Sequence, residues 1–492
     1  MVMGTDFFSI LGVPRDATPD EIRTAYFEAA RSFHPDANPD PVARELFLAI
    51  QSAYEVLSNP EKKAIYENSL PDPFLPPQIA VNVKYSRNIL PILDEPQIAY
   101  ALVELVCTTE PDHAQLPPLH ICMVIDRSTS MNGERMDMVK LNVIHFLRQL
   151  RTQDMISVVT FSDRAEVIIP LSRTTDLAKN ESKISMINPS GGTEIFRGLE
   201  AGLGQLQGLR GVRANRQLIL LTDGHTYGDE KACFTLAERA AGEGITINAM
   251  GIGNEWNDAF LDHLTSISGG SAFFISSSKD LNKFLDQKMA ASSAVYAHGV
   301  TLEFTAQPAC QVRYGFRLSA EAGLLEVSSP IVIGDLVYDK PLTFLLEFYI
   351  SNLAKDIKQI NLIDGKLKME IVSFNNSNRR LFLDLSRPLL VDPSPELPPS
   401  AVMDALSHLS LYRLQERARK EVESGNINQA SLRLQYLATH LLSIGDRELA
   451  HTVLVEADHI QQSRHFSKDG DKRIKYGTRA LLLPSGLEQD KL

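Results

Sequence analysis

Five oxygen-bearing side chains in this chain have the types and the spacing of a metal site; they are Asp126, Ser128, Ser130, Thr193 and Asp223. Two carboxylates and three hydroxyls suit a hard divalent cation, Mg²⁺ or another such as Mn²⁺ or Ca²⁺, because such ions prefer oxygen ligands. No His or Cys joins the set, which argues against zinc. Taken singly, the two aspartates are explained as helix caps or turn formers, but the five in this order predict a metal site.

The segments around these side chains alternate between strand and helix patterns over residues 117–290. Asp126 and Asp223 each follow a short buried strand pattern, and Thr193 comes just before a helix pattern. Such alternation predicts a mostly parallel sheet with helices on both faces, a doubly wound Rossmann-like fold. Ligands bind at the carboxyl edge of such a sheet, so we expect the five side chains to lie together.

This arrangement resembles the von Willebrand factor A (VWA) domain with its metal-ion-dependent adhesion site. Thr129 stands where a glycine is often found in that family. The resemblance implies metal-dependent protein binding, in which one metal position stays open for an acidic residue of the partner. Glu194, His225 and Tyr227 could rim the site, although solvated loop residues are the preferred interpretation for them.

A second candidate is the tripeptide His34, Pro35 and Asp36, which lies between two segments with helical patterns. Residues 18–21, Thr-Pro-Asp-Glu, are typical of a helix start that closes a capping box. The tripeptide alone is a weak signal, since a polar turn after a helix looks the same. Its setting predicts two antiparallel helices joined by the loop that displays it.

Several features in order along residues 1–68 resemble the J domain of DnaJ-type co-chaperones: the segment 6–13, the capped helix, the tripeptide and the segment 53–66. The resemblance implies that His34, Pro35 and Asp36 contact an Hsp70 (DnaK) and stimulate its ATP hydrolysis. A loop fixed by proline presents its imidazole and carboxylate rigidly, at low entropic cost on docking.

The helix before the tripeptide departs from the family's pattern. J domains usually carry a basic stripe there, which docks on an acidic Hsp70 surface. Arg23 and Arg31 are retained as candidate Hsp70-binding residues, but Glu28 adds a negative charge, so steering should be weaker. The chain also lacks the Gly/Phe-rich segment and the zinc-binding cysteines of general DnaJ proteins. A specialised J protein is therefore expected, with its client specificity elsewhere in the chain.

The rest of the chain divides at proline-rich segments. Four prolines in 69–78 and five in 387–399 predict linkers. Strand patterns in 79–116 and 291–386 predict the two parts of one β-sandwich, with the α/β unit inserted between them. Residues 400–492 predict three helices broken at two glycine-containing turns. The predicted fold class is multidomain α+β and α/β: a helical J domain, a VWA domain inserted in a β-sandwich, and C-terminal helical hairpins.

The composition limits which binding partners and which cellular compartment are expected for this protein. The formal net charge of −12 argues against nucleic acid as the main partner, and no apolar run is long enough to span a bilayer, so we expect neither nucleic-acid binding nor membrane insertion. A signal peptide is not expected, because charged residues come early. Four dispersed cysteines fit reduced thiols in a cytoplasm.

Three functions remain open. The favoured interpretation is a co-chaperone adaptor that stimulates an Hsp70 through its J domain and binds a protein client metal-dependently through its VWA domain. The alternative is a VWA partner subunit of an AAA+ ATPase. A metal-dependent hydrolase is the third, which the sequence disfavours because no base or nucleophile is evident near the paired aspartates. No P-loop or common hydrolase motif occurs, so we do not expect an enzyme.

Overall fold

The structure is a computed structural model of the chain. It describes residues 7–13, 17–33, 41–60, 62–63, 66, 78–109, 117–207, 214–224, 228–305, 307–319, 321–338, 340–351, 353, 357–371 and 378–482. The predicted His34-Pro35-Asp36 loop lies outside the described residues, and so do His225 and Tyr227.

The described part of the N-terminal unit includes helices α1 (Phe7–Leu11), α2 (Pro19–Phe33) and α3 (Pro41–Leu57). Pro60, Lys62, Lys63 and Tyr66 are helical as well. The predicted capping box forms at the start of α2: the Thr18 amide donates to Glu21 Oε2 at 2.7 Å, and the Glu21 amide donates to Thr18 Oγ1 at 3.3 Å. The three helices bury a shared core of Phe8, Leu11, Ala17, Ile22, Ile50, Ala53 and Leu57. The amphipathic pattern read from the sequence therefore places these helices against one another.

The central α/β unit contains one six-stranded sheet, in the order β6-β5-β4-β7-β8-β9. Its strands are β4 (Leu119–Asp126), β5 (Met155–Phe161), β6 (Ala165–Arg173), β7 (Asn215–Thr222), β8 (Ile245–Ile252) and β9 (Ala272–Ile275). Neighbouring strands are parallel except for β5 and β6, which are antiparallel. All residues of β4 are buried, because helices cover both faces of the sheet.

Two cores lie on the opposite faces of this sheet. The helices are α4 (Glu134–Gln149), α5 (Leu177–Ser185), α6 (Ile195–Leu206), α7 (Glu230–Gly242), α8 (Asp258–Ile267) and α9 (Ser278–Ser293). Helices α6, α7 and α8 pack on one face with Cys122 and Val124, whereas α4, α5 and α9 pack on the other with Ile121 and Met123. Alternate residues of one strand thus serve both cores, which is the doubly wound arrangement predicted from the sequence.

The β-sandwich has two five-stranded sheets, β1-β3-β14-β11-β12 and β13-β10-β15-β16-β2. Three strands precede the α/β unit in the chain: β1 (Ile79–Tyr85), β2 (Leu90–Pro91) and β3 (Gln97–Cys107). Seven follow it: β10 (Val295–Thr305), β11 (Cys310–Arg317), β12 (Gly323–Leu325), β13 (Ile331–Val337), β14 (Leu342–Ile350), β15 (Gln359–Ile371) and β16 (Asn378–Leu390). Because β3 pairs with β14, the α/β unit is inserted within the sandwich, as the fold class predicts.

Strand β16 differs from the sequence interpretation at its end. It continues through Leu390 and pairs with both β15 and β2, so residues 387–390 belong to the sheet and not to a linker. Pro388 cannot donate a backbone hydrogen bond, but the amide of Leu389 donates to the carbonyl of Lys358 at 2.8 Å and continues the pairing.

Four helices follow within the described residues 400–482, where the sequence predicted three helices in the C-terminal region. They are α10 (Ser400–Glu423), α11 (Ile427–Ser443), α12 (Arg447–Ser463) and α13 (Lys468–Ala480). The prediction missed α13 because this helix buries charged side chains, Lys472, Lys475 and Arg479, and so lacks an apolar face. Among the described residues, no helix has the length and apolar character needed to cross a bilayer.

These helices pack on both the sandwich and the α/β unit. Helix α10 joins an apolar cluster with Phe316 and Leu345 of the sandwich. Helix α13 lies against α8 and contributes to a group of six buried or half-buried charges, here called the interface ion cluster. Its members are Asp258, Asp262, Arg419, Asp471, Lys475 and Arg479. The C-terminal helices are therefore held to the sandwich by apolar contacts and to the α/β unit by ion pairs.

Candidate functional site

The two predicted metal-binding carboxylates lie at the same edge of the central sheet. Asp126 is the last residue of β4, and Asp223 follows β7 directly. Strands β4 and β7 are parallel neighbours, with Ile125 opposite Leu221. Parallel neighbours end at the same edge, so this pairing brings together two residues that are 97 positions apart in the sequence.

A network of hydrogen bonds joins four of the five predicted residues. Asp126 Oδ1 accepts from the Ser128 amide at 2.8 Å, and the Ser128 and Ser130 hydroxyl oxygens lie 3.0 Å apart. The Ser130 hydroxyl donates to Asp223 Oδ1 at 2.7 Å. Thr222 also contributes, since its hydroxyl donates to Asp126 Oδ2 at 2.7 Å. Sequence reasoning did not include Thr222, although its place just before Asp223 could have indicated it.

The fifth residue, Thr193, lies beside this network. Its loop is joined to the one after β4, because the Thr129 amide donates to the Gly191 carbonyl at 3.1 Å. A Cβ atom built on Gly224 would lie 3.1 Å from the Thr193 hydroxyl oxygen. The hydroxyl therefore lies next to the residue that follows Asp223, and its role as a ligand stays a prediction.

Both carboxylates are fully buried. Burial raises the pKa of Asp126 to about 6, the hydrogen bonds from Thr222 and Ser128 oppose this rise, and the nearby Asp223 adds to it. Two adjacent buried carboxylates are unfavourable unless a cation compensates them. Their surroundings therefore fit a bound cation.

One compensating cation comes from the protein itself. The Arg135 guanidinium forms an ion pair with Asp223 Oδ2, and its Nη1 also donates to the Ser130 carbonyl at 3.3 Å. Sequence reasoning missed Arg135, because an arginine in the first turn of a helix usually points to solvent and no local pattern indicates otherwise. Only the tertiary arrangement shows its contact with Asp223.

The donor set fits a hard divalent cation. Asp126, Ser128, Ser130, Thr193 and Asp223 would hold it, with carboxylate and hydroxyl oxygens and no nitrogen or sulfur. Across the part of the chain that the structure describes, no group of three or more His, Cys, Asp or Glu side chains is placed to bind a metal. Any metal held by described residues at this edge would thus depend on the hydroxyls.

Of the three residues predicted to rim the site, Glu194 is the one that lies among the described residues. Glu194 is exposed and directly precedes α6, where its side chain makes no capping hydrogen bond. Its carboxylate lies 3.6 Å from the Nε of Arg197 on the same helix. This agrees with its interpretation as a solvated loop residue.

The candidate Hsp70-binding arginines lie on one exposed face of α2. Arg23 and Arg31 are both exposed and eight residues apart. Phe27 lies between them on the same face, also exposed, and the Arg23 guanidinium carbon is 5.8 Å from the centre of its ring. This surface thus combines two positive charges with an apolar side chain.

Comparison with known proteins identifies three parts of the chain. A DnaJ domain model matches residues 6–67, and a von Willebrand factor type A domain model matches residues 120–287. The chain combines a J domain with a VWA domain. A third model, the Sll0103-like C-terminal alpha-helical domain, matches residues 400–484. The family resemblances drawn from the sequence are thereby confirmed.

Two kinds of relatives match different parts of the chain. The uncharacterized protein sll0103 of Synechocystis sp. is 26% identical over 386 residues, which cover 76% of this chain and 90% of that protein. Chaperone protein DnaJ 2 of Streptomyces coelicolor is 54% identical over 65 residues, 13% of this chain and 17% of that protein. The DnaJ likeness is therefore confined to the J domain.

Two solved structures share the fold of a much larger part. A von Willebrand factor type A protein from Catenulispora acidiphila superposes with a TM-score of 0.64 at 15% identity, covering 82% of this chain and 96% of that one. The ArnB paralog VWA2 from Sulfolobus acidocaldarius gives a TM-score of 0.54 at 16% identity, covering 82% and 99%. The shared fold therefore extends well beyond the VWA domain.

Proposed function

We propose that this protein is a co-chaperone adaptor, which stimulates an Hsp70 through its J domain and binds a protein client metal-dependently through its VWA domain. The observation that carries the proposal is the convergence of Asp126, Ser128, Ser130, Thr193 and Asp223 at one sheet edge, in a chain that also has a J domain. Both domain types typically act as adaptors, which supports a role without catalysis.

At the VWA site, Mg²⁺ or a similar divalent cation would supply a Lewis-acidic centre for a carboxylate of the client. The protein's own groups prepare the site for it. Thr222 and the Ser128 amide orient Asp126, and the Ser130 hydroxyl orients Asp223. These contacts hold the carboxylate oxygens in defined positions, which lowers the conformational cost of binding a cation.

At the J domain, the exposed face of α2 and the His34-Pro35-Asp36 loop would contact the Hsp70. Arg23 and Arg31 supply positive charge to an acidic partner surface, as the J-domain resemblance implies. Residues 69–78, with four prolines, are proposed as a semi-rigid linker that holds a bound client near the recruited Hsp70. Tethering of this kind raises the effective concentration of one partner near the other without new contacts.

A reducing compartment is consistent with the cysteines. All four are free and buried, and burial raises the pKa of Cys122 and of Cys310 to about 12. Buried thiols of high pKa are poor nucleophiles and do not form disulfides readily. This supports the proposed cytoplasmic location.

A pull-down from the native cell in Mg²⁺ and in EDTA tests the proposal. We expect Hsp70 to be captured in both buffers and a second, client protein to be captured only in Mg²⁺. The Asp126→Ala variant should lose the client and keep the Hsp70, whereas Asp137→Ala, an exposed carboxylate on α4, should keep both. Client capture that is unchanged in EDTA or in Asp126→Ala would contradict metal-dependent binding.

A further inference from the structure

We propose that Arg135 is a counter-charge that weakens cation binding at the VWA site and strengthens the binding of an anionic ligand, such as a carboxylate, to the metal-loaded site. The inference rests on the proposed metal site and names the residue that sets its ligand chemistry. Arg135 would act through Asp223, so it is a positioning residue and not a metal ligand.

The position of Arg135 is determined by two contacts. Its guanidinium pairs with Asp223 Oδ2, while the other oxygen of that carboxylate accepts from the Ser130 hydroxyl. Its Nη1 also donates to the Ser130 carbonyl. Both oxygens of Asp223 therefore have partners, and one of these partners carries a full positive charge.

The residue that follows β8, Gly253, lies against this arginine. Gly253 has a φ of +67°, and a Cβ atom built there would lie 3.3 Å from Arg135 Nη2 and 3.5 Å from its Cζ. A side chain at position 253 would thus crowd the guanidinium. The adjoining loop is itself held by α13, because Lys472 Nζ donates to the Asn254 carbonyl at 2.9 Å.

The formal charges of the site predict how Arg135 affects the binding of the cation and of the ligand. Asp126 and Asp223 contribute −2 and Arg135 contributes +1, so the described core of the site carries −1. A bound divalent cation would bring the loaded site to +1, whereas without Arg135 it would be neutral. A ligand carboxylate neutralises a site of +1, while a neutral carbonyl or hydroxyl ligand does not. Arg135 thus weakens cation binding and strengthens carboxylate binding.

The test measures these two effects separately on the full chain at neutral pH. Mn²⁺ binding is followed by the electron paramagnetic resonance of free Mn²⁺, and acetate binding by the broadening of its methyl proton signal by bound Mn²⁺. For Arg135→Gln we expect Mn²⁺ to bind about tenfold more tightly and acetate about tenfold more weakly, each ~1.4 kcal/mol. Arg135→Lys, which keeps the charge, should stay within about threefold of wild type for both.

A matched control uses the same helix. Arg148 also pairs with a carboxylate, Glu181, at 2.7 Å, but it lies 13 residues further along α4, about 20 Å away. Arg148→Gln should leave both affinities unchanged, and thermal unfolding should show that each variant is folded.

The outcomes separate this inference from the metal site itself. Opposite changes in the two affinities support it, since a purely structural defect would weaken both. If wild type binds Mn²⁺ and acetate but Arg135→Gln binds them equally well, or loses both, the role of Arg135 is wrong and the metal site stands. A wild-type chain that binds no Mn²⁺ overturns both proposals.

Discussion

Replacing Asp258 with asparagine should loosen the C-terminal helices from the α/β unit. Asp258 is a buried member of the interface ion cluster, and its Oδ2 accepts from Arg419 at 2.7 Å and from Lys475 at 2.5 Å. The cluster contains three acidic and three basic groups, so Asp258→Asn leaves one buried positive charge in excess. Breaking a buried ion pair by removing one partner costs ~3–5 kcal/mol, and we expect a loss of this size in the free energy of unfolding.

The pH dependence should change in the same variant. Although burial alone would raise it, Lys475 and Arg419 hold the pKa of Asp258 well below its ordinary value. A carboxyl whose pKa is lowered in the folded state contributes stability above its unfolded pKa of about 4, and this contribution is lost as the pH falls further. Wild type should therefore lose stability in acid more steeply than Asp258→Asn does.

The protein contains a built-in probe for this experiment. Trp256 is its single tryptophan, and it is 2% exposed. Lys472 Nζ lies 4.2 Å from its ring centroid, and the Tyr476 ring centroid lies 5.6 Å away, so α13 covers it. Undocking of α13 would expose the indole and shift its emission to the red. Urea titration followed by Trp256 emission measures the free energy of unfolding. The same signal reports whether α13 has separated from Trp256.

The control is an exposed ion pair on α13, the helix to which Asp258 is joined through Lys475. Asp469 pairs with Arg473 at 2.7 Å, with about half of each side chain exposed. Asp469→Asn should cost less than about 0.5 kcal/mol, because solvated pairs contribute little. A loss below about 1 kcal/mol for Asp258→Asn, similar to that of the control, would refute the conclusion that the interface ion cluster holds the C-terminal helices in place.

Three further predictions concern the two domains and the central sheet. His34→Gln should abolish stimulation of the Hsp70 ATPase in a single-turnover assay without unfolding the chain; full stimulation would contradict the J-domain assignment of this residue. Asp126→Ala should remove Mg²⁺ binding measured by calorimetry, and Asp223→Ala should weaken it less, because Arg135 already neutralises part of that charge; unchanged affinity in Asp126→Ala would refute the site. Burial, followed by the nearby Arg216, lowers the pKa of His120 to about 4, so the folded chain resists protonating it and should lose up to about 3 kcal/mol of stability between pH 6.5 and 4. In His120→Asn, the free energy of unfolding should change less between pH 6.5 and 4 than it does in wild type. An equal change in both proteins would count against a buried neutral histidine.

Local patterns predicted most of the fold. Capping at Thr18 and the apolar runs before Asp126 and Asp223 are short-range signals, and each one formed as expected. Insertion of the α/β unit in a sandwich followed from the alternation on either side of it. These features depend on the periodicity of apolar residues, which is the strongest signal available in a single sequence.

Features that depend on paired charges were missed. Helix α13 buries Lys475 and Arg479, whose partners Asp258 and Asp262 lie more than 200 residues away in the sequence. Arg135 is a similar case, because its ion pair with Asp223 spans 88 residues. Charged residues in a helical pattern normally indicate a solvated face, and only their tertiary partners show otherwise.

Crystals of the full chain soaked in Mn²⁺ would test the metal site, the central claim, most directly, with data collected at the manganese absorption edge. We predict an anomalous peak at the sheet edge, within bonding distance of oxygens from the set Asp126, Ser128, Ser130, Thr193 and Asp223, which disappears in Asp126→Ala. Manganese peaks only at other positions, or no peak at this edge in a soaked crystal, would contradict the metal-dependent function proposed for the VWA domain.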